Sequence, residues 1–514
     1  MVAVASDGSV ALAVGKVAAC AWPQPSLWEA IVDVRQQLFI GGEWVAPEGK
    51  GTIDVISPHT EAVIGSVPDA SPADMDRAVA AARAAFDDGP WPRMTAADRA
   101  EGIKRLSGAL QSRAAEIADV ISSENGSPKS WSLMGQVFSA TMVLDTYAGL
   151  ASGYPWEDRR TGALGSPVLV RRAPVGVAAG IIPWNVPLFI MALKLGPAMA
   201  AGCPIVLKPA PETPLDAYLL ADAIIEADLP PGVINIVAAG RETGEHLVRH
   251  PGIDKVSFTG STAVGQHIGE VCGGMLKRLT LELGGKSAAI VLDDADLDEA
   301  TLGNLVQSGV MNNGQVCGAQ SRILVSRKRY DEVVDALGAA VGALTVGDPL
   351  DEATQIGPLV AKRQQERVFG FLEAGKAAGA TAVVGGNGKP EHLDKGWYVE
   401  PTVFRDVSND MKIAREEIFG PVLSVIPYDD EAQAITIAND SDYGLCGSVW
   451  TTDAEHGAAV AAQVRTGVVA INSSMILDFN APFGGFKQSG IGRELGPEGI
   501  DPYTEYQSII LPAG

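Results

Sequence analysis

Three residues carry the first chemical signal of this chain: Cys317, Glu282 and Asn185. Cys317 lies in MNNGQVCGAQS, residues 311–321, where Gly314 and the neighbouring amides imply an irregular backbone approach to the thiol. Such amides lower a thiol pKa and receive an oxyanion, so one reading is a nucleophile. The plain alternative is an inert buried cysteine. Glu282 follows an apolar run in LELGGK and precedes two glycines. A carboxylate with little water around it has a raised pKa, as a general base needs; a strand-end surface charge is the other reading. Asn185 follows Ile181-Ile182-Pro183-Trp184. Its amide can donate to a carbonyl oxygen that gains charge, or serve as a turn residue before Pro187. Lys194, nine residues on, is grouped with these as an electrostatic brace, against the alternative of a helix-face lysine.

A second signal concerns phosphate. The GxGxxG turn of ordinary dinucleotide folds is missing. The nearest pattern is Gly260-Ser261-Thr262-Ala263-Val264-Gly265 after KVSFT. Gly260 permits close backbone approach, and Ser261 with the first N–H groups of a following helix can hold pyrophosphate. A capped strand-to-helix turn is the alternative. Lys208 and Glu212 follow a strong strand pattern near its carboxyl end, where open α/β sheets bind ligands. Together they can exchange hydrogen bonds with ribose hydroxyls, or form an exposed ion pair.

These residues need a scaffold, and the patterning predicts one. Residues 37–45 read as two short strands around a Gly-Gly turn, 70–89 as a capped helix, and 95–126 and 130–150 as further helix. After the β-branched stretch 167–182, strands at 203–210, 232–239, 255–261 and 278–285 alternate with helices at 213–230, 243–251 and 262–274. That succession implies a parallel sheet covered by helices. A second α/β unit begins at 288–296, with strands at 320–326, 380–386, 420–428 and 464–473 and helices at 328–343, 360–378 and 431–439. Residues 504–511 read as a peripheral or intersubunit strand.

A chain of 514 residues exceeds one ordinary core, so two or more domains are expected. The formal charge of -23 repels phosphate backbones and anionic membranes, which argues against nucleic-acid and membrane partners. Five scattered cysteines, with no CxxC pair, suggest neither a metal centre nor a redox dithiol and suit the cytoplasm. Residues 1–36 read as a weakly ordered extension or a start-site artefact; Ala11 to Cys20 is mildly apolar, but no basic segment precedes it, so a signal peptide is not expected.

Taken together, these segments resemble the aldehyde dehydrogenase superfamily, of the hydrolytic NAD(P)-dependent type, from about Gln37 to near Pro512. LELGGKSA matches the family's glutamate signature and NNGQVC its cysteine signature, which implies Glu282 as base and Cys317 as nucleophile. PWNVP implies Asn185 as the oxyanion amide. KLGPAMAAGCPIVLKPAPETP implies ribose contacts from Lys208 and Glu212; FTGST, EEIFGPV and PFGGFKQSGIGRE match as well and add Ser261, Glu417 and Phe419. Ile181, Pro183, Trp184, Gly260 and Leu283 complete the expected cofactor contacts.

The resemblance implies an α/β fold of nucleotide-binding and catalytic domains with a small oligomerisation element. The expected boundaries are 37–150 with 175–283, then 284–486, then 151–174 with 487–514, in a homodimer or homotetramer. It also implies oxidation of an aldehyde to a carboxylic acid through a cysteine thiohemiacetal and thioester. Glu282 favours hydrolysis over acyl transfer to coenzyme A, and Glu212 favours NAD, since a carboxylate repels a 2′-phosphate. Lys208 beside it leaves NADP open. The substrate tunnel is expected from Val186, Phe189, Ile190 and Leu193 on one side and Met475, Ile476 and Leu477 on the other. That wall is aliphatic and uncharged, which fits a hydrophobic aldehyde. A coenzyme A-acylating or NADP-preferring relative and a catalytically idle protein of the same fold are the alternatives.

Overall fold

The computed structural model describes residues 36–512. The expected extension, including Ala11 to Cys20, lies outside the described residues except for Gln36.

The first sheet is built around Ala178–Ile181. On one side of it lie Ile205–Lys208 and then Ile234–Ile236; on the other lie Lys255–Thr259 and then Arg278–Glu282, all parallel. The chain therefore steps away from its first central strand in both directions. Connections that diverge in this way leave a crevice at the carboxyl ends of the strands. Ile181, Lys208, Thr259 and Glu282 are the last residues of their strands, so their side chains are delivered to that one edge.

Both faces of this sheet are covered, which explains runs that are apolar throughout rather than alternating. Ala178, Ile205, Leu207 and Ile234 bury on one face, whereas Ala179, Val206, Val256 and Phe258 bury on the other. Antiparallel strands close the edges: Leu38–Ile40 with Glu43–Val45 at one end, and Gly490–Ile491 at the other. Within residues 487–514, Gly490 pairs with Glu282 and so adds an edge strand to this sheet.

The second sheet runs in the order Thr381–Val384, Thr402–Arg405, Val422–Tyr428, Arg322–Ser326, Ala288–Val291, Cys446–Trp450, Val468–Ile471. Thr402–Arg405 and Cys446–Trp450 are short strands that the patterning does not predict. A third, three-stranded sheet pairs Thr504–Ile510 with Pro167–Pro174 and that strand with Glu157–Thr161. Its outer strands are largely solvent-facing, and Tyr506 is 66% exposed.

Two helical details depart from expectation. The stretch 95–126 is two helices, Ala96–Ser112 and Ala114–Asn125, parted at Arg113 where φ is -106° and ψ 13°. No proline or glycine marks that break, so the local signal is absent. Residues 130–150 include a π-helical turn, Ser132–Phe138, before the α-helix Ser139–Gly153. Among the described residues, no helix is long and apolar enough to cross a membrane.

Candidate active site

A cleft of about 290 Å³ opens at the crevice between the two sheets. Asn185, Glu282 and Cys317 all line it, with Pro183, Trp184, Val186, Ile190, Gly260, Ser261, Leu283, Glu417 and Phe419. Strand ends of the first sheet thus meet loop and helix residues from the part of the chain that builds the second.

Glu282 is 3% exposed, and neither of its carboxylate oxygens has a hydrogen-bond partner. Burial, and then the nearby Glu494 carboxylate, hold its pKa well above the ordinary value, while Lys194 and Arg493 oppose the shift. An unpartnered buried carboxyl costs stability, and such groups cluster at reacting sites; Glu282 has the environment of a base that takes its proton from inside the cleft.

The Cys317 thiol is half-buried. Its pKa moves against expectation: burial, then Glu417 and Glu282, push it up to about 12, although the amides of Gly318 and Cys317 pull the other way. Desolvation and two carboxylates outweigh two N–H dipoles here. The thiol rests protonated and needs a base to become a nucleophile. Buried Cys446 lies behind it: a side chain added at Gly318 would come within 3.1 Å of the Cys446 Sγ.

Asn185 stands just before the helix Pro187–Ala201 and is held by residues far from it in sequence on both sides. Its backbone carbonyl accepts from Asn125 Nδ2 at 3.1 Å and Asn312 Nδ2 at 3.0 Å. Its own Nδ2 donates to the Gln315 carbonyl at 2.8 Å, which leaves the second amide hydrogen for the cleft. The segment 312–315 is bent by left-handed residues: Asn312 at φ 51°, Asn313 at φ 61° and Gly314 at φ 72°. Asn313 anchors the bend by donating to Gly126 O and Pro358 O and accepting from Gly357 N. Gly314 is required by space as well, since a Cβ would sit 2.2 Å from Gly420 backbone atoms.

Lys194 does not reach the cleft. Its fully buried ammonium donates to Ser257 at 3.2 Å and Thr259 at 2.8 Å and pairs with Glu494 at 2.9 Å. Breaking such a buried pair typically costs about 3–5 kcal/mol, because it strands a charge. Lys194 thus touches the cleft only electrostatically: it lowers the Glu282 pKa, against the Glu494 carboxylate that raises it. Glu494 ends the PFGGFKQSGIGRE motif, but its pairing is not legible there, since its partner is 300 residues away.

The phosphate-facing parts also differ in detail. Ser261 precedes the helix Thr262–Met275 and makes no side-chain cap, so the first-turn amides remain free for an anion. Gly260 serves packing: a Cβ there would meet the Phe258 ring at 2.5 Å. Lys208 is committed to Pro209 O at 2.8 Å and Ala239 O at 3.1 Å, and burial lowers its pKa to about 8. Glu212 is half-buried and pairs with Arg363 rather than Lys208. Glu417 accepts from the Gly285 amide at 2.9 Å, and burial raises its carboxyl to about 7. Phe419, at φ 63°, meets Trp184 edge to face at 5.3 Å.

Of the expected tunnel residues, Val186 and Ile190 line the cleft. Phe189 and Leu193 belong to the apolar core; Ile181, expected as a cofactor contact, is buried in the core on the other face of the sheet and does not line this cleft. Ile476 packs over Gly318, next to Cys317. Met475 and Leu477 line a neighbouring pocket of about 240 Å³ with Ile476, and Met475 is 69% exposed. Sequence reasoning missed Arg363, Gln364 and Arg367, which line the cleft from the helix Lys362–Ala377. Gln364 donates to Phe419 O at 2.7 Å and Arg367 to Glu417 O at 2.6 Å, so this helix braces the Glu417–Phe419 segment.

The model of the aldehyde dehydrogenase family matches residues 44–509. The chain belongs to the aldehyde dehydrogenase family. Geranial dehydrogenase of Castellaniella defragrans is 50% identical over 479 residues, 93% of this chain and 99% of that protein. A Mycobacterium tuberculosis aldehyde dehydrogenase, solved in complex with NAD+, is 50% identical with a TM-score of 0.91 and covers 93% of this chain and 99% of its own. A variant of aldehyde dehydrogenase C from Pseudomonas syringae, complexed with NAD+ and octanal, is 40% identical with a TM-score of 0.89 over 93% of this chain and 98% of its own. Like its family, the protein is an enzyme that oxidises aldehydes to carboxylic acids, with NAD as oxidant.

Proposed function

We propose that this aldehyde dehydrogenase oxidises hydrophobic aldehydes by cysteine-based acyl catalysis with Glu282 as base. The observation that carries the reading is the pair of unpartnered Glu282 oxygens, buried in the same cleft as Cys317 and Asn185.

The residues present fit a dinucleotide. Free amides after Ser261 suit pyrophosphate, the strand-end pair Glu212 and Lys208 suits a ribose, and Glu417 suits a second ribose, with Phe419 and Trp184 beside it. NAD, when bound, accepts the hydride. Glu282, through a water molecule, takes the proton from the Cys317 Sγ, and the thiolate attacks the aldehyde carbon. The free amide hydrogen of Asn185 and the Cys317 N–H hold the oxyanion of the thiohemiacetal. After oxidation, Glu282, which has by then passed its first proton to solvent, takes a proton from a second water; the hydroxide opens the thioester, the acid is freed and the Cys317 sulfur regains a proton.

The aliphatic surroundings of Cys317 (Val186, Ile190 and Ile476) carry no charge that would select a cationic or anionic substrate. The geranial activity and the octanal complex named for the two relatives point the same way. The outer strands of the third sheet, exposed from Glu157 to Thr161 and over most of Thr504–Ile510, support a homodimer or homotetramer joined there. The unpaired state of the four described cysteines supports a cytoplasmic enzyme. The separate sheets support a division into 37–150 with 175–283, 284–486, and 151–174 with 487–514.

The test is turnover of a graded aldehyde panel with NAD by wild type and by Cys317→Ala. NADH formation that rises with apolar chain length and vanishes in the variant is expected. A preference for charged aldehydes overturns the substrate reading, and full activity in Cys317→Ala overturns the mechanism.

A further inference from the structure

We infer that Ser127 is a positioning residue for the oxyanion donor: its hydroxyl and its backbone amide orient the two asparagines that grip Asn185. The inference rests on the reading of Asn185 as that donor.

Ser127 stands where the chain leaves the helix Ala114–Asn125. Gly126 ends that helix at φ 82°, and a Cβ on it would lie 2.4 Å from Pro358 O. Pro128 follows and keeps the residue before it out of the helical region. Ser127 is fully buried at this corner. Its N–H donates to Asn125 Oδ1 at 2.8 Å, and its hydroxyl donates to Asn312 Oδ1, 185 residues away.

These two bonds decide which way each amide faces. An amide oxygen only accepts, and an amide nitrogen only donates. With both Oδ1 atoms held by Ser127, both Nδ2 atoms turn to the Asn185 carbonyl, at 3.1 Å from Asn125 and 3.0 Å from Asn312. Reversing either amide would set its oxygen against that carbonyl, acceptor against acceptor. Asn312 also bears on the Asn185 side chain. Its backbone carbonyl accepts from Gln315 N at 2.9 Å, and the Gln315 carbonyl accepts from Asn185 Nδ2 at 2.8 Å. Ser127 thus closes a buried hydrogen-bond ring that fixes Asn185 through its backbone and its side chain. Such a network is rigid only while every member is satisfied. Without the hydroxyl, Asn312 Oδ1 has no donor among the described residues, and nothing holds that amide against reversal. Misplacement of a reacting group by about 1 Å costs about 10²-fold in rate.

The test compares wild type, Ser127→Ala, Ser127→Cys, Asn185→Ala and the double variant Ser127→Ala/Asn185→Ala. It reads single-turnover NADH formation with an apolar aldehyde, aldehyde KM, and alkylation of Cys317 by iodoacetamide. Ser127→Ala is expected to slow single-turnover NADH formation about tenfold to 100-fold, with little change in KM and with Cys317 alkylated at the wild-type rate. Ser127→Cys keeps the shape but offers only a weak donor, and is expected to fall between wild type and Ser127→Ala. In the Asn185→Ala background, Ser127→Ala is expected to change the rate less than about twofold, because the group it positions is gone. Wild-type rates in both Ser127 variants, with Asn185→Ala slowed, overturn the inference alone. So does a fully additive loss in the double variant, or a matching fall in Cys317 alkylation, since Ser127 would then act elsewhere. Asn185→Ala at the wild-type rate overturns the oxyanion reading and the inference with it.

Discussion

Replacing Glu282 with Gln keeps the side chain's shape and removes one negative charge and one base. The magnitude follows from the thiol. With a pKa of about 12, Cys317 is ionised in only about one molecule in 10⁴ at pH 8. Two effects oppose each other in Glu282→Gln. Neutralising the carboxylate makes the thiol somewhat more acidic, because Glu282 is one cause of its raised pKa; but burial is the leading cause and it remains. Loss of a positioned base typically costs about 10²–10⁴-fold. We expect turnover with NAD and an apolar aldehyde to fall at least about 10²-fold. The residual rate should climb about tenfold per pH unit, as expected when activity follows self-ionisation of the thiol. Wild type should flatten at lower pH, once Glu282 has lost its proton. The assay pairs steady-state NADH formation with iodoacetamide trapping of Cys317, followed by mass spectrometry across pH. Alkylation at the wild-type rate with the wild-type pH profile, together with turnover within about tenfold, would refute Glu282 as the base.

Asn185→Ala removes one oxyanion donor and is expected to lower kcat about 10²–10³-fold with little change in aldehyde KM, read by steady-state kinetics. Asp216 is buried without a hydrogen-bond partner for either side-chain oxygen, and burial raises it to about 8. The fold holds a proton there that the unfolded chain releases, so stability falls as pH rises from about 4 to about 8. Asp216→Asn should therefore raise Tm at pH 8 and give no gain near pH 4, checked by thermal unfolding at the two pH values. Gly314→Ala places a Cβ 2.2 Å from Gly420 at a left-handed φ; loss of activity with a lowered Tm is expected, and a variant with normal kinetics would show that the bend yields.

Much of this architecture is legible in the chain because strand ends announce themselves. Lys208, Thr259 and Glu282 are polar residues that end apolar runs, and a parallel sheet must deliver such residues to one edge. Cys317 and Asn185 are visible through their types and their glycine- or proline-marked settings. What escaped reading depends on partners remote in sequence. Glu494 acquires meaning only from Lys194, and Arg363 only from Glu212. The direction of the Cys317 shift escaped for a related reason: amides near a thiol are visible locally, whereas burial and the Glu417 carboxylate belong to the assembled cleft. Short strands such as Thr402–Arg405 hold too few residues for a period to emerge.

Asn185 ties the parts of the chain built on the two sheets together at the cleft: its carbonyl accepts from Asn125 and Asn312, and its amide donates to Gln315. Docking strength and transition-state stabilisation therefore share the same hydrogen bonds. A slight loosening between these parts disturbs the oxyanion donor before it exposes either core to water. Inactivation should run ahead of unfolding: in a urea series, turnover is expected to fade at concentrations where tryptophan fluorescence and helical signal are still native. For this enzyme, catalysis is the more sensitive gauge of how well its halves fit.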